Sequence, residues 1–415
     1  PPARPGDRRA VRPPRSTAHP FATRLEFVMP FAVYLLAMAV FAQGTSEFML
    51  SGLVPGIAAD LGVSVPQAGA LTSAFALGMV VGAPSAAVLS LRRPRRRALL
   101  VFLLSFVAAH VVGALTTDFG VLLATRFAAA LANAGFLAVG LATATGLVAP
   151  DAKGRATAVL LGGVTLACVA GVPAGAALGQ AWGWRSAFWA VAALSAPAVL
   201  AVLRSVPAGP PAAGAPGARR ELRALRRPRL LVTLLVTALV NGGTFCAFTY
   251  LAPLVTEVGG YGPDRVPVLL ALFGLGTFVG VTVGGRLSDA RPRVVLLPGG
   301  VALLGGWLLL AATAGDPVAL AALVFAQGAL SFAVGSTLIT RVLYAADEAP
   351  SLGGSFATAA LTAGATAGPL LGGAALAAGF GHRSPAVVAA LLVASALGAA
   401  GLAAVARRSG TSPRG

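Results

Sequence analysis

Twelve apolar runs, each about long enough to cross a bilayer as a helix, follow one another between residues 29 and 406. A hydrocarbon core about 30 Å thick takes roughly 20 helical residues to span. Inside it every backbone N–H and C=O must find a partner within the protein, so a chain written this way folds as a helical bundle. The runs fall at about 29–53, 67–90, 97–115, 120–148, 156–180, 187–203, 230–256, 265–287, 294–313, 318–343, 353–378 and 386–406. At 57% hydrophobic and 11% charged residues, the 415-residue chain is too apolar for a water-soluble domain.

The net charge of +18 would suit a nucleic-acid partner if the basic residues formed one surface. Instead, 27 of the 31 Lys and Arg fall in the two termini and in alternate connections; Arg185, Arg265 and Arg383 lie in the others, and Arg126 lies within a helix. Positive charge collects on the cytoplasmic side of membrane proteins, so both termini are expected in the cytoplasm and no nucleic-acid role is expected. Residues 1–27 lack the apolar core of a cleavable signal and suggest a disordered basic tail. The chain begins without Met, so its true start is expected upstream. Cys168 and Cys246 lie in helices 5 and 7 and are expected to be packed thiols.

A shift of 198 residues brings several landmarks into register. Leu53-Val54-Pro55 falls on Leu251-Ala252-Pro253, Arg93-Pro94-Arg95 on Arg291-Pro292-Arg293, and Asp118 on Asp316, while Gly183, Arg185 and Ser186 fall on Gly381, Arg383 and Ser384. Each sits at the end of an equivalent helix, which predicts two homologous six-helix halves, a pattern found in secondary transporters. The expected division is an N-terminal bundle at 28–204, a cytoplasmic linker at 205–229, a C-terminal bundle at 230–406 and a tail at 407–415.

Within helix 1 stands one carboxylate, Glu47, with Gln43 and Ser51 a turn away on either side on the same face. An acid at that depth is costly unless it faces the protein interior or a water-filled cavity, and it marks a functional site. Helix 4 carries Arg126, with Asn133 seven residues further on the same face. Access to water and the distance to Arg126 would together set when Glu47 holds a proton. Polar and aromatic residues inside other helices are candidates to line a cavity: Thr237, Asn241, Thr244, Phe245 and Phe248 in helix 7, and Gln327 and Ser331 in helix 10. Each either meets a ligand or ties two helices together. Helix 5 contains Gly162, Gly171, Gly175 and Gly179 with Pro173 among them, a spacing that lets helices approach closely.

At these residues the chain resembles the major facilitator superfamily in its twelve-helix drug:proton antiporter branch. Gly162 with Gly171-Val172-Pro173-Ala174-Gly175 is similar to the antiporter motif of helix 5, with Gly-Val-Pro for the usual Gly-Pro. Leu122 and Arg126 resemble the helix 4 motif whose arginine is linked to proton coupling, and Gly285-Arg286-Leu287-Ser288-Asp289 through Arg293 resembles the cytoplasmic gating motif. Its counterpart between helices 2 and 3 keeps only the basic residues, with Leu91 in the acid's place. Residues 44–64 and 126–139 resemble actinobacterial chloramphenicol exporters. The resemblance implies an all-helical fold of two pseudo-symmetric bundles that exports a small amphiphilic drug across the bacterial cytoplasmic membrane. The lipid bilayer and protons are its expected partners, and it is expected to act as a monomer. Export of a sugar or purine metabolite is the alternative.

Other power sources and chemistries find no residues. The one lysine, Lys153, sits in Asp-Ala-Lys-Gly, which is no phosphate-binding loop. Gly274-Leu275-Gly276 has Val279 where a dinucleotide fingerprint needs its third glycine. His19, His110 and His382 keep no metal-ligand spacing with either cysteine, so neither metal nor cofactor is expected, and His110 is expected to be a satisfied or lipid-facing histidine. No catalytic cluster suggests an enzyme.

Overall fold

A computed structural model describes residues 30–90, 94–148, 153–206, 222–290, 292–346 and 353–409. Twelve helices long and apolar enough to cross a membrane are present among them. They are α1 (Phe31–Phe48, resuming as Leu50–Leu61), α2 (Val65–Ser90), α3 (Arg95–Leu115), α4 (Phe119–Gly146), α5 (Lys153–Leu166, Ala167–Gly171 and Val172–Trp182) and α6 (Trp184–Ser205). The second half comprises α7 (Pro228–Thr249, with Leu251–Pro253 and Leu254–Val258), α8 (Val266–Ala290), α9 (Pro292–Thr313), α10 (Pro317–Ala345), α11 (Gly353–Ala377) and α12 (Ser384–Ser409). Large apolar side chains such as Leu104, Leu200, Leu308 and Leu391 are exposed on the outer faces, where hydrocarbon takes the place of water.

The duplicated landmarks do the same work in each half. Asp118 caps α4 by accepting from the Val121 N–H at 2.8 Å, and Asp316 caps α10 by accepting from the Ala319 N–H at 2.7 Å. Gly183 and Gly381 both take positive φ, 78° and 76°, at the turns into α6 and α12, where a side chain would be strained. Arg185 donates to the Thr116 carbonyl past the end of α3, and Arg383 donates to the Ala311 and Ala312 carbonyls at the end of α9. These are the unsatisfied acceptors that a helix end leaves.

Proline interrupts the helices nearest the centre. Pro55 follows the break of α1 at Met49, and Pro253 follows the break of α7 at Tyr250. In α5, Pro173 has no N–H to give Val169 and its ring would crowd that carbonyl. The chain answers with a wide π turn over Ala167–Gly171, in which the Val172 N–H reaches back to the Ala167 carbonyl. Helix 1 therefore runs past its expected end to Leu61, where Gly62 closes it in the left-handed conformation.

Close approach depends on glycine at defined points. A Cβ on Gly171 would strike Thr45 of α1, one on Gly179 would strike Leu53, and one on Gly163 would meet the Ala37 carbonyl 2.5 Å away. Gly175 faces Met49, whereas Gly162 meets nothing within 4 Å; its neighbour Gly163 makes the contact. In the other half Gly364 and Gly368 of α11 lie against the Ala238 and Gly242 carbonyls of α7.

Candidate functional site

Between the halves lies a small pocket lined by Phe48 of α1, Cys168 of α5, Thr244, Phe245 and Phe248 of α7, Phe273 of α8 and Phe332 of α10. Phe48 crosses from one half to meet Phe245 and Phe248 of the other, with ring centroids 5.7 and 6.5 Å apart. Phe248 in turn sits 4.7 Å from Phe273. Such spacings suit aromatic contact and leave an apolar wall with one hydroxyl, Thr244, which donates to the Val240 carbonyl. None of the lining residues is charged.

Glu47 immediately precedes Phe48 and is half-buried. Among the described residues its carboxylate makes neither hydrogen bond nor ion pair. Arg126 does not reach it but binds the residue before it: Nη1 donates to Ser46 Oγ and Nη2 to the Ser46 carbonyl, both at 2.8 Å. The guanidinium is 1% exposed and lies over the Phe75 ring at 4.4 Å, a placement that offsets part of the cost of burying the charge.

Gln43 is buried with both amide atoms unpartnered, and the Ser51 hydroxyl donates to the Phe48 carbonyl beside the break of α1. Asn133 is buried on α4. Thr237 donates to the Thr233 carbonyl of its own helix. Asn241 donates to the Leu361 carbonyl at 2.7 Å and so ties α7 to α11, while Gln327 donates to the Leu303 carbonyl at 3.0 Å and ties α10 to α9. Ser331 is buried without a partner. Phe245, Phe248 and Thr244 reach the pocket wall. Gly285, Asp289 and Arg293, the expected gating motif, fall on α8 and α9, but the side chains of Asp289 and Arg293 are not among those described, and Leu91 lies outside the described residues. Both cysteines are free and buried, and no group of His, Cys, Asp or Glu that could hold a metal occurs among the described residues.

Residues 36–351 match the family model of the Major Facilitator Superfamily. A chloramphenicol resistance protein of Streptomyces lividans is 59% identical over 372 residues, covering 89% of this chain and 95% of that protein. The chain belongs to the major facilitator superfamily. A chloramphenicol efflux pump of Mycobacterium tuberculosis is 32% identical over 347 residues, with 82% of this chain and 84% of the pump covered. The superfamily fold is also that of a bacterial homolog of the human lysosomal transporter Spinster, with a TM-score of 0.73 at 17% identity over 90% of this chain and 96% of that one. As a member of this superfamily the protein is a membrane transporter and not an enzyme, and it acts on a small molecule in the cell membrane.

Phe48, Cys168, Phe273 and Phe332 line the pocket without a signal in the sequence that marks them for it. Nothing local distinguishes those phenylalanines from the rest of the chain's 20. Ser46, the seat of Arg126, is equally unmarked, because the bond joins positions 80 apart in the chain.

Proposed function

We propose that the protein exports a neutral, amphiphilic compound of the chloramphenicol class in exchange for protons. The observation that carries this reading is the uncharged aromatic pocket between the halves, with a half-buried acid one residue from its wall. A pocket with one hydroxyl offers little to a sugar or a purine, whose many polar groups would lose their water on entry. The names of the Streptomyces and Mycobacterium relatives support the same cargo.

The distribution of basic residues supports both termini lying in the cytoplasm, so that the end of the bundle the termini share faces inward. The halves, 28–204 and 230–406, meet at the opposite end through Gly52 against Leu270 and Tyr250 against Gly69, and Gln180 of α5 donates to the Pro263 carbonyl. This arrangement corresponds to a state closed to the outside. Facing inward, Glu47 gives up its proton and drug enters the pocket; facing outward, Glu47 takes a proton and the drug leaves. The two halves rock about the pocket between these states, and one chain suffices for the cycle.

A susceptibility panel in a pump-deficient bacterial host tests the cargo. Expression is expected to raise resistance to chloramphenicol-type compounds more than to permanently cationic dyes, because a single acid offers little to hold a fixed positive charge. An equal or larger effect on the dyes overturns the assignment.

A further inference from the structure

His110 of α3 is 1% exposed and lies between the Phe106 and Phe188 rings. Its Nδ1 is 2.8 Å from the Phe106 carbonyl and its Nε2 is 2.6 Å from Ser46 Oγ. A carbonyl can only accept, so Nδ1 carries the hydrogen and the Nε2 of the neutral ring is a bare acceptor. Arginine can only donate, so Ser46 Oγ receives Arg126 Nη1–H and turns its own hydrogen to His110. Each bond in this series, from Arg126 through Ser46 and His110 to the Phe106 carbonyl, then has one donor and one acceptor, and its direction is fixed.

We propose that His110 is a positioning residue for proton coupling: its bare Nε2 holds the Ser46 hydroxyl in the orientation that seats Arg126, and a proton on Nε2 releases Arg126 toward Glu47. The inference rests on the proton-exchange reading above. A proton on Nε2 would make the ring a donor. Ser46 Oγ would then accept from two cations at once while its own hydrogen lost its acceptor. Two positive groups bonded to one buried oxygen repel strongly, and Arg126 is the one with a free alternative, since Glu47 is the next residue along α1 and its carboxylate has no other partner among the described residues. A proton on His110 therefore goes with Arg126 paired to an ionised Glu47. A neutral His110 goes with Arg126 on Ser46, the arrangement seen here.

The charges nearest His110 are those of the coupling pair itself. α3 packs against α4 and α6, and the facing titratable and charged groups are Arg126 on α4 and Glu47 on α1. Arg185 and Arg204 stand at the two ends of α6, and Arg95, Arg96 and Arg97 lie at the opposite end of α3. Residues 65–82 of α2 contain no titratable side chain.

The test uses the full chain in proteoliposomes with chloramphenicol as the probe. It reads flux driven by an imposed pH gradient, and drug–drug counterflow without a gradient across a series of pH values. Gln at position 110 can accept from Ser46 but cannot take a proton. His110→Gln is expected to keep counterflow, to lose the pH dependence that a proton on the ring confers, and to lose gradient-driven flux by roughly tenfold or more, the change a lost charge-assisted interaction carries. Wild-type driven flux with a wild-type pH profile overturns the proposal. Glu47→Gln is measured beside it. If that variant loses driven flux while His110→Gln matches wild type, the role of His110 alone falls; if Glu47→Gln keeps full driven flux, proton exchange itself falls. A substrate-free reading comes from nitrogen-15 NMR of a His19→Gln, His382→Gln background, in which His110 is the one remaining histidine of three. A neutral ring with hydrogen on Nδ1 supports the chain of bonds, and hydrogen on Nε2 of the neutral ring overturns it.

Discussion

Glu47 stands one residue from the aromatic wall and one residue from the seat of Arg126, so its charge state is felt on both sides. Glu47→Gln preserves shape and hydrogen bonding but has no ionisable proton. The variant is expected to fold and to bind drug, and to fail to concentrate drug against a gradient in liposomes. Full drug-coupled proton flux by Glu47→Gln would refute the coupling role. Glu47 and Arg126 could be singled out in the sequence because each interrupts an apolar run where a charge is costly. His110 could not be, because what distinguishes it is a bond to Ser46, 64 positions away. Asn241 and Gln327 looked alike as candidates for the cavity, and only the fold reveals that both reach backbone carbonyls of neighbouring helices. A polar residue in an apolar helix announces that it needs a partner, but not which one.

At the scale of elements, the end of the bundle away from the termini is held by a small polar cluster. Asp60, at the end of α1, accepts from Arg185 Nη1 and from the Trp184 indole of α6, while Arg185 also reaches the Thr116 carbonyl beyond α3 and stacks over the Trp184 ring at 4.4 Å. The hydrogen bond from Arg185, and then that from Trp184, hold the Asp60 carboxyl below its ordinary pKa. A depressed folded-state value means that the stabilisation is fully present above the unfolded value of about 3.9 and is lost as pH falls through the folded one. Because the pair is largely solvated, its contribution is expected to be about 1 kcal/mol or less. Thermal melts in detergent should therefore show Asp60→Asn slightly less stable than wild type at pH 7, with the gap closing as pH falls below the ordinary carboxylate range. A gap that persisted in acid would assign the loss to packing. Arg185 and the α4 cap Asp118 were legible in the sequence through the 198-residue repeat, because groups that complete helix ends recur wherever the same helix ends recur. Asp60 has no such echo, and its place in the cluster emerges only when α1 is seen to continue beyond the break at Met49.

Taken as a whole, the molecule joins its halves largely through small residues and backbone rather than through charge. Tyr250 donates to the Pro369 carbonyl and lies against Gly69, Gly372 and Gly373; Gly274 rests on the backbone of Cys168 and Val169. The pocket between the halves is walled by rings that touch one another rather than by backbone, so an altered ring can be met by a shift of its neighbours, whereas these seams have no space to give. Every missense change that one base can make in a glycine codon adds at least a Cβ, and forced overpacking costs about 1 to 3 kcal/mol per site. The two regions should therefore leave different marks on the gene under selection. In a mutagenised library, loss of resistance without loss of protein in the membrane should concentrate at codons 69, 274 and 373, while changes at Phe48, Phe245 and Phe248 should survive as pumps with a shifted drug range. Deep sequencing before and after drug exposure reads both classes at once, and an even scatter of inactivating changes over seam and pocket would refute the distinction. A pump built this way can change what it carries more readily than how it moves, so new drug ranges would arise through its phenylalanines while its glycines stayed as they are.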